Sequence, residues 1–322
     1  MQENLKSSTS ISRLSIPNLL NQEQENDRKV RKATHAGTWY EDNSARLNDK
    51  VLTFIDNVVA EIDQNRKPKA LIVPHAGLKY SGQTAAYAYN YLQQNINEIS
   101  KIFVLGPSHH CYLEKPAVST VDVYETPLGN IEIDTKIAQE LISSGAFSKL
   151  PKDVDEDEHS IEMQLPFIAH ILNSVSCKVS LIPILIGQMN KVTLHSTVKT
   201  LLPYFDEPDT VFIISSDFCH YGPRFSYTPF SNSKMPIYSE IEQLDNDAIN
   251  MILDMDLKSF EMYLNQTGNT ICGRHAISFL LRILSEFKDE FSGTLLHYSQ
   301  SNKTVSGTDS SVSYAAIAFT TK

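Results

Sequence analysis

Three short apolar runs constrain this chain more than any other feature, because each ends abruptly in residues that carry chemistry. Val211 to Ile214 runs into Ser215, Ser216, Asp217, Cys219 and His220. Ala70 to Val73 runs into Pro74, His75, Ala76 and Gly77, and Ile102 to Leu105 into Gly106, Pro107, Ser108, His109 and His110. Runs rich in β-branched and aromatic residues read as buried strands. In an open α/β sheet, ligands bind beyond the carboxyl ends of the strands. If the three strands are parallel, their His and Asp side chains share one rim and form one site. The fold class expected is therefore α/β: a single domain with a mostly parallel or mixed central sheet flanked by helices.

The 322 residues suffice for a substantial core, and no internal repeat or second composition regime divides them. Lys and Arg number 28 against 38 Asp and Glu, a net charge of −10 that argues against nucleic acid as a partner. Cys111, Cys177, Cys219 and Cys272 are scattered without a CxxC pair, which suits a reducing compartment. No apolar run approaches the roughly 18 residues of a membrane span, and the N-terminus lacks a signal-peptide core. These features place the protein in the cytoplasm, with the nucleus also open to it, and without membrane insertion.

Residues 1–28, rich in Ser, Asn, Gln and charge, read as a disordered tail, and 29–322 as the α/β domain. A helix is expected from about Ser44 to Asp63. Just before it, Trp39 stands beside His35 and Gly37, as either a core aromatic or a pocket wall. Ala117 to Tyr124 and Gly129 to Ile133 read as a hairpin. The acidic run from Asp153 feeds one amphipathic helix carrying Ile161, Leu165 and Ile168, its carboxylates favoured by the helix macrodipole. Glu158, His159 and Glu162 are read as supporting groups, not as ligands. Val179 to Ile186 is a further strand, Lys191 to Leu202, Tyr238 to Leu253 and Leu257 to Leu264 are helices, and the last strands span Thr294 to Tyr298 and Val312 to Phe319.

The polar set at the element ends is His75, His109, His110, Asp217, Cys219, His220 and Cys272. Imidazoles suit iron, copper and zinc, and a thiolate tilts the preference toward softer ions. Cys272 precedes a helix expected from about Arg274, a position that lowers a thiol pKa. No dinucleotide fingerprint or P-loop follows the first strand, so no nucleotide cofactor is expected. A Ser215 or Ser216 triad with His220 and Asp217 lacks the G-x-S-x-G elbow.

HAGTWY at 35–40, PHAG at 74–77, GPSHH at 106–110, DEDEHSIEMQLPF at 155–167, SSDFCHYGPRF at 215–225, TICGRH at 270–275 and DSSVSYAA at 309–316 resemble, in order, the Memo family. That family is named for a mediator of receptor-tyrosine-kinase-driven cell motility. The resemblance implies a fold like the class III extradiol dioxygenases, whose active site holds non-haem iron. It implies metal ligation by His75, His109 and Cys272, with Asp217 and His220 beside them as tentative catalytic residues. It also implies a phosphotyrosine-peptide pocket carrying Trp39, Tyr80, Asp217, His220 and Arg224. Arg pairs bidentately with phosphate and an aromatic wall holds a ring. Ordinary extradiol cleavage is not expected, because Cys272 would replace the usual carboxylate and is open to oxidation by dioxygen.

Two functional expectations follow. The first is a metal-binding, redox-linked protein using iron or copper, with Asp217 and His220 as an orienting pair or proton relay, associated with motility and cytoskeletal signalling. The second is a non-catalytic adaptor that holds phosphorylated or acidic peptides of a signalling partner in the ancestral cleft.

Overall fold

The structure, a computed structural model, describes residues 28–59, 66–230, 235–287 and 289–322. The expected tail thus lies outside the described residues but for Arg28, as does the far end of the first expected helix. The core strands are β2 (Pro68–Val73), β3 (Lys101–Pro107), β8 (Ser180–Ile186) and β9 (Thr210–Ser215), in the order β2-β9-β3-β8 and all parallel. The long β12 (Ser311–Thr321) lies antiparallel to β2 and also pairs with β11 (Phe291–Gln300) and the short β10 (His220–Tyr221). On the other side β8 pairs antiparallel with β4 (Ala117–Ser119), which continues to β7 (Ser148–Leu150). The result is a single α/β domain built on a mixed sheet, compatible with the dioxygenase-like fold.

Strand alternation gives the sheet two buried faces. Leu71, Val73, Ile102, Val104, Val211 and Ile213 pack on one face, and Ala70, Ile72, Phe103, Leu105, Phe212 and Ile214 on the other. Near-continuous apolar runs are what a parallel strand covered on both sides requires. Helices α1 (Ser44–Asp56), α2 (Leu78–Asn95) and α6 (Leu165–Asn173) cover the first face. The second is covered by α7 (Lys191–Asp206), α8 (Ile237–Leu253) and α10 (Arg274–Leu284). The chain leaving β2 therefore turns to one face and the chain leaving β9 reaches helices on the other, which opens a crevice between their carboxyl ends. Register places Val73 opposite Ser215 and Leu105 opposite Ile214, so the three polar strand ends are level.

Three expectations are corrected. Ala117 to Tyr124 is not one strand: β4 joins the main sheet, while β5 (Val123–Tyr124) pairs with β6 (Ile131–Glu132) and β1 (Val30–Arg31) in a separate sheet. Only the β5–β6 arm is the expected hairpin. The acidic run makes not one helix but α4 (Lys152–Asp157), α5 (His159–Glu162) and then α6. Glu158 causes the first break: its backbone is extended and its side chain caps α5 through the Ser160 N–H. α1 stops at Asp56, well before Asp63, where Asn57 bonds the Thr53 carbonyl as its C-cap. The remaining helices are α3 (Thr135–Ser143) and α9 (Leu257–Thr267), the latter extending the expected Leu257 to Leu264.

Candidate metal centre and ligand cleft

His75 stands two residues beyond β2 and is almost wholly buried. Its surroundings decide which ring nitrogen carries the proton. Ser215 Oγ donates to the Ser160 carbonyl at 2.6 Å, so its single proton is spent. It accepts from Gln164 Nε2 at 2.9 Å, and His75 Nδ1 lies 2.8 Å away. A hydroxyl has one proton and two lone pairs, so Nδ1 must be the donor and Nε2 carries the free lone pair. Gln164 is itself fixed, because its Nε2 also donates to the Pro74 carbonyl at 3.1 Å and its Oε1 accepts from Tyr89 at 2.7 Å. Burial pushes His75 well below the ordinary histidine value, with His109 and His220 adding to the effect. The ring is therefore the neutral, ligating form.

His109 obeys the same rule with a different sink. Glu158 accepts from the His109 backbone N–H at 2.6 Å and faces His109 Nδ1 at 2.8 Å. Burial pushes Glu158 up, but bonds and charge from His109 and the Ser160 N–H outweigh it and hold the carboxyl well below its usual range. An ionised carboxylate only accepts, so Nδ1 donates and Nε2 is the nitrogen turned away from it. His220 spends Nδ1–H on the Phe218 carbonyl at 2.9 Å. Imidazoles that donate one N–H to a carboxylate, carbonyl or hydroxyl present the other nitrogen in the manner of metal ligands.

Cys272 Sγ lies 3.1 Å from His75 Nε2 and receives the Asp217 N–H at 3.3 Å. Gly273 lets this segment approach β9, since a Cβ there would collide with Ser216. The lowered thiol pKa expected from the helix start is corrected. Burial, then the Asp217 charge, push Cys272 well above its ordinary value. Those two effects outweigh the start of α10, and the free thiol is protonated. A bound cation would reverse this, because a coordinating thiol is deprotonated. Asp217 accepts the backbone N–H groups of His75 at 2.8 Å and Ala76 at 3.2 Å. Burial raises its pKa against the pull of His220 and those two bonds.

These groups open onto a cleft of about 530 Å3 whose lining includes Trp39, His75, Tyr80, His109, Asp217, His220 and Arg224. Trp39 is thus on the wall. Arg224 lies over the Phe225 ring at 4.4 Å and makes no hydrogen bond or ion pair among the described residues. Not every sequence candidate belongs here. Cys219 is buried in a second cluster with Tyr221 and Ile241, and His110, though near His109, is exposed and outside the closest His group. Ser215 and Ser216 hold His75 and Gly273 instead of forming a hydrolase triad.

The segment read as support contributes more than expected. Glu158 orients His109, and Glu162 binds Arg31 at 2.6 Å, Tyr40 at 2.7 Å and His35 Nδ1 at 2.8 Å, tying the 31–40 loop to α5. His159 lines the cleft as well, its ring between Trp39 and His109 at centroid distances of 4.3 and 4.4 Å. Ligand atoms of His75, His109 and His159 all lie within 4.8 Å of one another. Gln164 and Tyr89 were not singled out from sequence. The only signal was the polar Gln164 among the apolar residues that open α6.

The donor set fits a metal: His75 Nε2 and Cys272 Sγ lie 3.1 Å apart at a strand-end crevice, and His75, His109 and His159 offer ligand atoms within 4.8 Å of one another. Among the described residues no helix is long and apolar enough to cross a membrane. The sequence profile described as Memo-like protein matches residues 31–318. Protein MEMO1 of Homo sapiens is 40% identical over 294 residues, covering 90% of this chain and 97% of that protein. MEMO1 of Danio rerio is 39% identical over 289 residues, covering 89% and 96%. The memo-1 homolog of Caenorhabditis elegans is 40% identical over 292 residues, covering 89% and 81%. With the profile spanning all the core strands and the cleft they carry, the chain belongs to the Memo family.

Proposed function

We propose that the protein is a metal-binding, redox-linked member of its family that holds iron or copper through His75, His109 and Cys272. The observation that carries this reading is the locked proton placement: buried acceptors take up Nδ1–H of His75 and His109, which leaves Nε2 of each for a metal, with Cys272 Sγ 3.1 Å from that of His75. Iron or copper bound there would supply one-electron chemistry. Asp217, anchored by two backbone N–H groups, shapes the crevice, and His220 presents Nε2 as a proton acceptor. In the cell this activity would serve motility and cytoskeletal signalling in the cytoplasm, the role implied by the family resemblance. The test is anaerobic equilibrium dialysis against Fe(II) and Cu(I). The His75→Ala and His109→Ala proteins are expected to lose at least about tenfold in affinity. Parent-like binding in both would overturn the assignment.

A second reading is favoured by Arg224, which lines the cleft together with exposed Tyr80 and Trp39. On this reading the cleft holds a phosphorylated peptide of a signalling partner, with phosphate on Arg224 and its ring on the aromatic wall. Calorimetric titration with phosphotyrosine and unphosphorylated peptides should show phosphate-dependent binding that Arg224→Ala abolishes. Unchanged binding by that variant would exclude it.

A further inference from the structure

We infer that His159 is an additional ligand of the cleft metal, supplying a third imidazole beside His75 and His109. The inference rests on the metal-binding reading above and deepens it. His159 heads α5 directly after the capping residue Glu158, and that turn carries its ring into the cleft. The His159 ring is nearly parallel to that of His109, with an interplanar angle of 15° and centroids 4.4 Å apart, and it meets His75 edge-on at 5.5 Å. One ligand atom from each of the three falls within a sphere of mutual distances no larger than 4.8 Å.

The competing explanation is that His159 only fills the gap between Trp39 and His109. Two observations weigh against pure packing. Neither ring nitrogen makes a hydrogen bond among the described residues; Nδ1 only approaches Glu158 Oε1 at 3.5 Å, an oxygen already taken by His109 and Ser160. The His159 side chain is 13% exposed and lines the cleft, so a ring lone pair is open to a bound cation. The neighbours also matter: His75 and His109 each spend Nδ1 on a protein acceptor, and one cation could take a lone pair from each of the three rings.

The test is a Co(II) titration of the full-length protein, followed by d–d absorption and competition with a chelator. His159→Phe keeps an aromatic plate between Trp39 and His109 but has no donor. The expected result is a loss on the order of tenfold in Co(II) affinity, with a changed d–d spectrum and circular dichroism like the parent. Parent-like affinity and spectrum in His159→Phe would overturn the inference, while a loss in His75→Ala measured in parallel would leave the cleft reading intact. If His75→Ala also binds Co(II) like the parent, the cleft reading and the inference fall together. His159→Leu, which gives up the stack as well, is read by the same criteria should the phenylalanine not fit.

Discussion

One proton on Ser215 decides what His75 can do. With that proton on the Ser160 carbonyl, Ser215 can only accept from His75, and Nε2 is left facing Cys272. Ser215→Ala removes this sink while leaving Gln164 Nε2 short of an acceptor. Its expected effects are separable. Stability should fall by about 1–3 kcal/mol, the cost of a buried polar group left unpaired. In 15N NMR, the His75 ring of the parent should show the Nδ1–H tautomer, and that of the variant a mixture. A variant still wholly in the Nδ1–H form would show that another group sets the tautomer. Such roles are not legible in a sequence, where Ser215 is weighed only as a triad nucleophile and set aside, because the decisive fact is which carbonyl lies 2.6 Å from its hydroxyl.

At the scale of elements, two buried carboxyl groups join segments distant in sequence, and they respond oppositely to pH. Glu162 of α5 gathers Arg31, His35 and Tyr40. Burial pushes it up, but the His35 bond, the Arg31 charge and the Tyr40 bond prevail and hold it at about 2. Its folded value lies below the unfolded one, so its contribution is complete above the ordinary glutamate range and is lost as pH falls toward 2. Glu162→Gln leaves Arg31 buried with less compensation and should cost about 3–5 kcal/mol, measured by urea unfolding at pH 7. A loss below 1 kcal/mol would mean the network is not a clamp. Asp245 of α8 accepts from the Cys219 N–H at 3.2 Å, Asn269 at 3.1 Å, Tyr298 at 2.9 Å and Ser313, joining the loop after β9 to α8, β11 and β12. Burial raises it to about 6 despite those bonds. Here the folded value is the higher one, so the native state holds the extra proton and stability declines as pH rises from the ordinary aspartate range through 6. Asp245→Asn should remove that decline: its amide nitrogen can face Tyr298 and Ser313, whose hydroxyls turn to accept. Thermal unfolding from pH 4 to 8 is expected to show the variant gaining on the parent as pH rises to about 6 and holding that gain above it. An equal deficit at every pH would contradict the assignment.

For the whole molecule, the apolar runs of β2, β3 and β9 made the rim legible, because a strand covered on both faces is apolar throughout and its polar end stands out. Their level carboxyl ends then bring His75, His109 and Asp217 to one crevice from three distant segments. The 153–167 segment was harder to read. Its carboxylates have a sufficient local explanation at a helix start, and only the fold shows Glu158 under His109 and Glu162 under the 31–40 loop. The Asp245 cluster was illegible for a similar reason: a lone Asp in an amphipathic pattern reads as solvated until β12 covers it. In the proposed site, metal is held at this rim through imidazole and thiolate. X-ray absorption at the metal edge of anaerobically loaded, tag-free protein tests it most directly. A metal held this way gives imidazole multiple scattering and a sulfur shell, the sulfur vanishing in Cys272→Ser and the imidazole signal falling in His75→Ala. A shell of oxygen ligands alone, unchanged in both variants, would contradict it.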